Sequence, residues 1–459
     1  MYQINFKQPI HVHFIGIGGI SMSGLAEILL NEQFTVSGSD SKQSPLTTHL
    51  EEMGANIFYQ QVPSNITDDI DVVVYTAAIK ATNQELAEVI RKNLPLLSRA
   101  EFLGQLMTNY KAPIAVAGTH GKTTTTSMVS HILLEGDLNP TISVGGILKA
   151  IGGNIRTGSS DIFLTEACEY TNSFLHFSPK IGIILNVEAD HMDFFKNIDE
   201  IRESFHKFAA LLPADGALII NADIEHHEKI TQNLDCRVIT YGLNRDANYN
   251  ALGMAFNEQG HASFDLLKNG SFLDRVSLSV TGEHNASNSL AAIALGMEFG
   301  IPLEKIKQGL SSFTGTDRRF EYKGTRNGFT VIDDYAHHPT EITATLTAAR
   351  NYPHKEIWCV FQPHTYTRTK AFWDDFKKAL SLADHVILTD IYAARETDTL
   401  HVSSQRMASE LKDTGFDAYY LPSFKEVENF LIKNCTKGDL LITMGAGDVV
   451  NIGESLLNG

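Results

Sequence analysis

Short apolar runs recur along this chain. Each is followed by a turn rich in glycine or polar residues, and then by apolar residues at helical spacing. Residues 11–15 form one such run. They lead into Gly16, Gly18 and Gly19, and a helix is predicted over about residues 21–30. Residues 34–39 read as the next strand, ending at Asp40, and residues 71–78 as another, with Thr76 opening its small-residue end. Residues 112–117 are short enough for one buried strand, and helical spacing resumes through residue 134. Residues 159–166, 180–191 and 216–223 repeat the buried-strand pattern. From residue 237 to 280 the period changes to alternation, which predicts a small antiparallel sheet. A helix opens after Thr281, and beyond Tyr322 strands at 329–334, 357–362, 385–390 and 439–448 alternate with helices such as 340–350. Strands alternating with helices predict parallel sheets with ligands at the strand ends.

Two of the turns carry chemistry. The stretch Gly118, Thr119, His120, Gly121, Lys122, Thr123, Thr124 lies between a strand and a helix. Backbone N–H groups and the helix N-terminus can face an anion there. Lys122 adds positive charge, and a hydroxyl after the lysine can hold Mg²⁺. The full phosphate-loop pattern wants a further glycine at the position of Val116, so the loop is a shortened form opening at Gly118. The turn at Gly16–Gly19 is similar to a dinucleotide fingerprint with Ser21 in place of its third glycine. Asp40 lies about twenty residues on, where such folds bind a ribose hydroxyl. The fold class is therefore α/β with three domains. Residues 1–110 form a Rossmann-like domain for a nucleotide-containing ligand. Residues 111–321 form a central phosphate-loop ATPase domain with a parallel sheet plus the small antiparallel one. Residues 322–459 form a C-terminal Rossmann-like α/β domain.

Composition narrows the partners. The 459 residues are 43% hydrophobic and 20% charged, enough to bury several cores, and the formal net charge is −17. With no basic run, nucleic acid is excluded as a partner. Cys168, Cys236, Cys359 and Cys435 lie far apart with no CxxC pair, which suggests reduced thiols rather than a zinc site or a disulfide framework. No stretch approaches the roughly 18 apolar residues of a membrane helix, and residues 1–10 lack the features of a signal peptide. A soluble, cytoplasmic protein with no membrane partner is expected.

Further candidates cluster at strand ends. Glu166 ends one strand, and an acid there can hold Mg²⁺ directly or through water. Asn186, Glu188, Asp190 and His191 end another, and the company of His191 favours a metal role over a cap or a core histidine. Asn285 and Asn288 share a helix face, able either to cap the helix or to meet a base or ribose. Arg318 and Arg319 form an adjacent pair, a phosphate clamp or a solvated surface. Asp333, Asp334, His337 and His338 end one C-terminal strand, and Arg368 follows another.

Taken together, Gly118–Thr124, the Glu166 strand, the run ending in Asp190 and His191, the Asn285/Asn288 helix, the Arg318–Glu321 stretch and Asp333–Pro339 resemble the Mur ligases of peptidoglycan synthesis. The resemblance covers nearly the whole chain. The first glycine turn, Phe361-Gln-Pro-His364 and Met444-Gly-Ala-Gly-Asp448 point within that family to L-alanine as the amino acid. The resemblance implies that ATP phosphorylates the lactyl carboxylate of UDP-N-acetylmuramate and that the amine of L-alanine attacks the acyl phosphate. It implies ATP and Mg²⁺ as cofactors, Lys122 at the transferred phosphate, and Thr123 and Glu166 on a first Mg²⁺. Glu166 with His191 would hold a second Mg²⁺. Asn285 and Asn288 would meet adenine, Arg319 would approach the phosphates, and Asp334 would close over ATP. Gly16, Gly18, Gly19, Ser21 and Thr76 would hold the diphosphate end of the UDP-sugar, with Asp40 on its ribose. His337 and Arg368 would receive the amino acid, and the protein would be a monomer or a homodimer.

Two departures stand out. Thr365 occupies a position where arginine is expected, so binding of the amino-acid carboxylate leans on Arg368 or another cation. Residues 201–206 offer no lysine for the carbamylated residue found beside the second metal in several Mur ligases, and Lys207 is not assigned to that role. The competing readings are a ligase that recycles a whole tripeptide onto the same UDP-sugar, a folate polyglutamate ligase, an ATP-hydrolysing switch protein and a dehydrogenase. The N-terminal nucleotide domain argues against the folate enzyme. The switch leaves the Gly16 turn and the C-terminal cluster unexplained. The dehydrogenase lacks a full fingerprint.

Overall fold

The computed structural model describes residues 3–76, 79–192, 194–394 and 396–458. The small-residue end read at 77–78 lies outside them. The chain forms two compact units, one of residues 1–187 and 202–239, the other of residues 188–201 and 240–459.

The first unit holds two sheets. One is fully parallel, in the spatial order Asn56–Phe58, Thr35–Ser39, His11–Ile15, Val72–Tyr75, Leu96–Ser98. Its central strands are buried on both faces, which is why they read as apolar runs and not as alternation. In the other sheet, Ala112–Ala117 lies between Ile162–Ala167 and Ile181–Ile184, parallel to both. Ala217–Asn221 and Thr141–Leu148 extend it on either side, and Gly153–Arg156 closes one edge in antiparallel pairing. The ends of Ala112–Ala117, Ile162–Ala167 and Ile181–Ile184 therefore point to the same edge, the one reached by residues 118–121.

The two sheets of this unit are locked together closely. A Cβ added to Gly104, in the helix Arg99–Met107, would stand 1.9 Å from the carbonyl oxygen of His176. Tyr110 stacks on Phe163 with ring centroids 5.1 Å apart, and Asn154 donates to the Ile20 carbonyl at 2.9 Å.

In the second unit, Tyr249–Phe256, His261–Lys268 and Ser271–Thr281 form the expected antiparallel meander. Its first neighbour differs from expectation, because Tyr241 and Gly242 pair with Tyr249 and Asn250 in parallel. The last sheet has the order Glu321–Arg326, Phe329–Asp334, Leu440–Met444, Ile357–Phe361, His385–Leu388, Ala418–Tyr420. All its pairs are parallel except the first, an antiparallel hairpin. That hairpin turns at Asn327 and Gly328, both at positive φ (49° and 87°), the backbone that an Asn-Gly pair supports in a tight turn. Apolar clusters cover both faces of this sheet, around Leu346, Phe376 and Met407 on one side and Val427, Leu431 and Ile452 on the other. The strand read over residues 180–191 stops at Ile184, because Asn186 leaves the ladder to bond elsewhere. No helix among the described residues is long and apolar enough to cross a membrane.

Candidate active site

The first glycine turn is shaped by close approach. Gly16, at φ 85°, presses on Thr76, whose Cγ2 would stand 2.6 Å from an added Cβ. The N–H groups of Gly16 and Ile17 donate to the Ser39 carbonyl at 2.8 and 3.0 Å. Gly18 N–H donates to Asp40 Oδ2 at 2.8 Å, and Ser41 N–H to Asp40 Oδ1 at 2.7 Å. Gly19 is the N-cap of the helix Ile20–Asn31. The structure thus brings Gly16, Gly18, Gly19, Asp40 and Thr76 together, with the Asp40 carboxylate spending its nearest bonds on the turn. Ser21 accepts a hydrogen bond from Arg99 Nη1 at 3.1 Å.

The second glycine turn is held differently. Gly121, at φ 81°, is the N-cap of Lys122–Glu135 and provides no side-chain cap, so that helix end relies on its own N–H groups. Asn186 clasps the loop. Its Oδ1 accepts from His120 N–H at 2.7 Å, its Nδ2 donates to the His120 carbonyl at 3.0 Å, and its own carbonyl accepts from Thr119 N–H at 3.2 Å. Lys122 Nζ donates to the carbonyls of Gly118 (2.5 Å) and Thr119 (3.1 Å) and to Glu169 Oε2 (3.0 Å). Burial alone would depress the Lys122 ammonium. Glu169 outweighs it, with help from Cys168 and Glu166, and holds the pKa above its ordinary value. Val116, where the longer pattern has glycine, is fully buried in the strand.

Beside the lysine, Thr123 Oγ1 donates to Glu166 Oε2 at 3.1 Å, and Gly145 N–H to Glu166 Oε1 at 2.5 Å. An added Cβ on Gly145 would stand 2.9 Å from both Glu166 oxygens, and one on Gly146 would stand 3.3 Å from Thr123 Cγ2. Thr123 and Glu166 offer only oxygen, the donor chemistry that suits Mg²⁺. His191 belongs to the second unit and sits at φ 53°.

Within the second unit, Asn285 and Asn288 are nearly buried in the helix Glu283–Glu298. Gly282 is the N-cap, so neither asparagine caps the helix. Asn285 Nδ2 donates to the Thr281 carbonyl at 2.8 Å, and Asn288 Nδ2 to Asn285 Oδ1 at 3.2 Å. The arginine pair divides. Arg318 is an internal strut, bonded to Asp333 at 2.9 Å and to the carbonyls of Gly445 and Gly447 at 2.7 and 3.1 Å. Arg319 is more open, 31% exposed, over the Tyr335 ring and 3.9 Å from Glu341. Asp334 accepts from the N–H groups of Phe320 and Ala336 at 2.9 and 2.7 Å. Burial pushes its pKa up to about 6 against the pull of Arg319 and those two bonds.

His337 bonds the Tyr335 carbonyl at 2.9 Å, and burial brings its pKa down to about 4, so it is neutral at pH 7. His338 is the N-cap of Pro339–Arg350, a helix-start role its place before proline allows. Arg368 pairs with Asp190 at 3.2 Å and lies 3.3 Å from His364 Nδ1. Burial opposes ionisation of Asp190, yet Arg368, with His191 and His338, holds its pKa at about 2. A carboxylate docking on Arg368 therefore shares it with Asp190. Thr365 sits at φ 67° as the N-cap of Tyr366–Ala371, a strained place for a β-branched residue.

Sequence reasoning missed Arg99, Glu169, Gly145 and Gly146. Only the glycine pair in Thr141–Leu148 carried a signal, since glycine inside a strand often marks close approach.

Three family models match successive parts of the chain. Residues 11–111 match the family described as Mur ligase family, catalytic domain. Residues 116–296 match the Mur ligase middle domain, and residues 318–447 the Mur ligase, glutamate ligase domain. A protein of Lachnoclostridium phytofermentans named UDP-N-acetylmuramate--L-alanine ligase is 57% identical, with all of both chains covered, and one of the same name from Lachnospira eligens is also 57% identical over all of both. The crystal structure of a UDP-N-acetylmuramate-alanine ligase from Thermotoga maritima superposes with a TM-score of 0.81, at 29% identity and 98% coverage of each chain. That of a murein peptide ligase from Psychrobacter arcticus gives 0.71 at 25% identity, again covering 98% of each.

Proposed function

We propose, from the premise that this chain belongs to the Mur ligase family, that it joins L-alanine to the lactyl carboxylate of UDP-N-acetylmuramate at the expense of ATP, in peptidoglycan synthesis. The carrying observation is the pairing of a phosphate loop with full-length, 57% identity to ligases of that name. The alternative is a tripeptide-recycling ligase, for which the likeness to the murein peptide ligase is the observation, at a lower identity of 25%.

The chemistry divides into two transfers. The γ-phosphoryl group of ATP moves to a carboxylate oxygen, releasing ADP. The alanine nitrogen then attacks the acyl carbon, the tetrahedral intermediate expels phosphate, and the amine loses its proton as the amide forms. Carboxylate and triphosphate repel each other, so the first transfer needs fixed positive charge. Lys122, kept protonated by Glu169, supplies it together with the N–H groups at the start of Lys122–Glu135. Asn186 holds Thr119 and His120, and so the shape of the loop. Arg319 adds charge towards the phosphates. Asn285 and Asn288 meet the adenine, and Asp334 orders the backbone at Phe320 and Ala336 where the C-terminal region closes on ATP.

Thr123 and Glu166, with His191, would hold Mg²⁺, which when bound neutralises charge on the phosphates. Gly16, Gly18, Gly19, Ser21, Thr76 and Asp40 receive the UDP-sugar. His337, neutral, and Arg368 receive the alanine. We assign binding of the UDP-sugar to residues 1–110, binding of ATP to residues 111–321, and binding of the amino acid and closure over ATP to residues 322–459. We place the enzyme in the cytoplasm, where ATP is supplied.

Product analysis tests the reading. ATP, UDP-N-acetylmuramate and L-alanine should give ADP, phosphate and the UDP-N-acetylmuramoyl-alanine amide. Product from the tripeptide but none from L-alanine would establish the recycling enzyme instead. ATP turnover indifferent to the UDP-sugar would point to a switch protein.

A further inference from the structure

Arg99 is the first residue of the helix Arg99–Met107 and follows the strand Leu96–Ser98. That strand is parallel to Val72–Tyr75, which is parallel to His11–Ile15. Arg99 therefore stands at the same sheet edge as the turn of Gly16–Gly19 and as Thr76. Its side chain is half-buried. Nη1 donates to the Ser21 hydroxyl at 3.1 Å, and among the described residues no carboxylate pairs with it. Every other cation singled out above has an acid beside it: Lys122 has Glu169, Arg318 has Asp333, Arg319 has Glu341 and Arg368 has Asp190.

A guanidinium taken partly out of water without a counter-ion is costly, and burial lowers its pKa accordingly. Its five N–H donors form a fork suited to phosphate or carboxylate, and a single serine oxygen uses one of them. The helix that Arg99 opens also lies close against the segment that follows Glu169, where an added Cβ on Gly104 would stand 1.9 Å from the His176 carbonyl oxygen.

We propose that Arg99 is a substrate-binding residue that pairs with an anionic group of the UDP-sugar, either the diphosphate or the lactyl carboxylate. This rests on the ligase reading above and adds a contact to its first substrate. Ser21, the residue that replaces the third glycine of the fingerprint, then orients the guanidinium towards the turn.

The test is calorimetric titration of the whole protein with UDP-N-acetylmuramate, with UDP-N-acetylglucosamine, which lacks the carboxylate, and with a non-hydrolysable ATP analogue plus Mg²⁺. Arg99→Met should weaken UDP-N-acetylmuramate by about ten- to a hundredfold, the worth of a charge-assisted pair, and leave the ATP analogue unchanged. Arg99→Lys, which keeps the charge and loses the fork, should fall between. Equal loss on both UDP-sugars identifies the diphosphate, and loss confined to UDP-N-acetylmuramate identifies the carboxylate. The proposal is overturned if folded Arg99→Met binds both UDP-sugars like the unaltered protein. It is equally overturned if Arg99→Met and Arg99→Lys lose affinity for UDP-sugar and ATP analogue together with a fall in Tm, as a merely structural arginine would. Failure of the unaltered protein to bind UDP-N-acetylmuramate would instead overturn the ligase reading.

Discussion

The first unit contains two turns of one design and opposite electrical character. Each follows a buried parallel strand, bends at positive φ (Gly16 in one, Gly118 and Gly121 in the other) and enters a helix. At Gly16–Gly19 the amides are spent internally, on the Ser39 carbonyl and on the Asp40 carboxylate. At Gly118–Gly121 the loop is clasped from the outside by Asn186, and Lys122 closes on the carbonyls of Gly118 and Thr119 with Glu169 beside it. Glycine spacing therefore encodes backbone shape, while the charged residue beside each turn, Asp40 after the neighbouring strand in one and Lys122 at the helix start in the other, decides the chemistry. A turn closed on a carboxylate suits a ligand with hydroxyls beside its phosphates. A turn carrying a lysine suits charge that grows during reaction.

Substitutions can break this division of labour. Lys122→Ala should give the largest effect, a fall in kcat of about a thousandfold, as loss of a transition-state donor does, with the Kd for UDP-N-acetylmuramate unchanged by calorimetry. If UDP-sugar binding falls with it in a folded protein, the two turns are not separate sites. Glu166→Ala should cost about a hundredfold in kcat and shift the dependence of rate on added Mg²⁺ to higher concentration. An unaltered Mg²⁺ profile would remove Glu166 from the metal. Gly18→Ala places a methyl 2.8 Å from Asp40 Oδ2 and 3.0 Å from Thr47 Cγ2. It should raise the KM for UDP-N-acetylmuramate about tenfold, through misplacement of the turn, and leave the KM for ATP alone.

The smallest effect concerns pH. Because Glu169 and its neighbours raise Lys122 above its ordinary 10.5, the charge and the stability of the ion pair are fully present below 10.5 and are lost only as pH climbs through the higher, folded value. Affinity for the ATP analogue should then show no loss assignable to Lys122 between pH 7 and 10. Glu169→Gln, which removes the largest upward influence, should bring such a loss into that range.

What the sequence made legible follows from the range over which each interaction acts. Strands such as 112–117 and the glycine turns are set by local sterics and burial, so their residues announce them. The meander after Tyr249 was equally plain from its alternation. Contacts that depend on distant pieces were not legible. The role of Arg318 is set by carbonyls at Gly445 and Gly447, more than a hundred residues away, so nothing local distinguished it from Arg319. The clasp of Asn186 on His120 spans 66 residues, and the pairing of Lys122 with Glu169 spans 47. The strand read as far as residue 191 ended at Ile184 for the same reason: a side-chain amide found partners on another loop. The Asn327–Gly328 hairpin was the exception, a local signal that went unread.

The close approach at Gly104 bears on how such enzymes are recombined. With room for no more than a hydrogen between that helix and the His176 carbonyl, residues 1–110 and the segment around 170–176 form a matched pair. Exchanging the N-terminal region with that of a relative should succeed only when the partner turn travels with it. Residue 110 is therefore no seam for chimaeras, and inheritance of the two glycine turns is linked by packing as much as by chemistry.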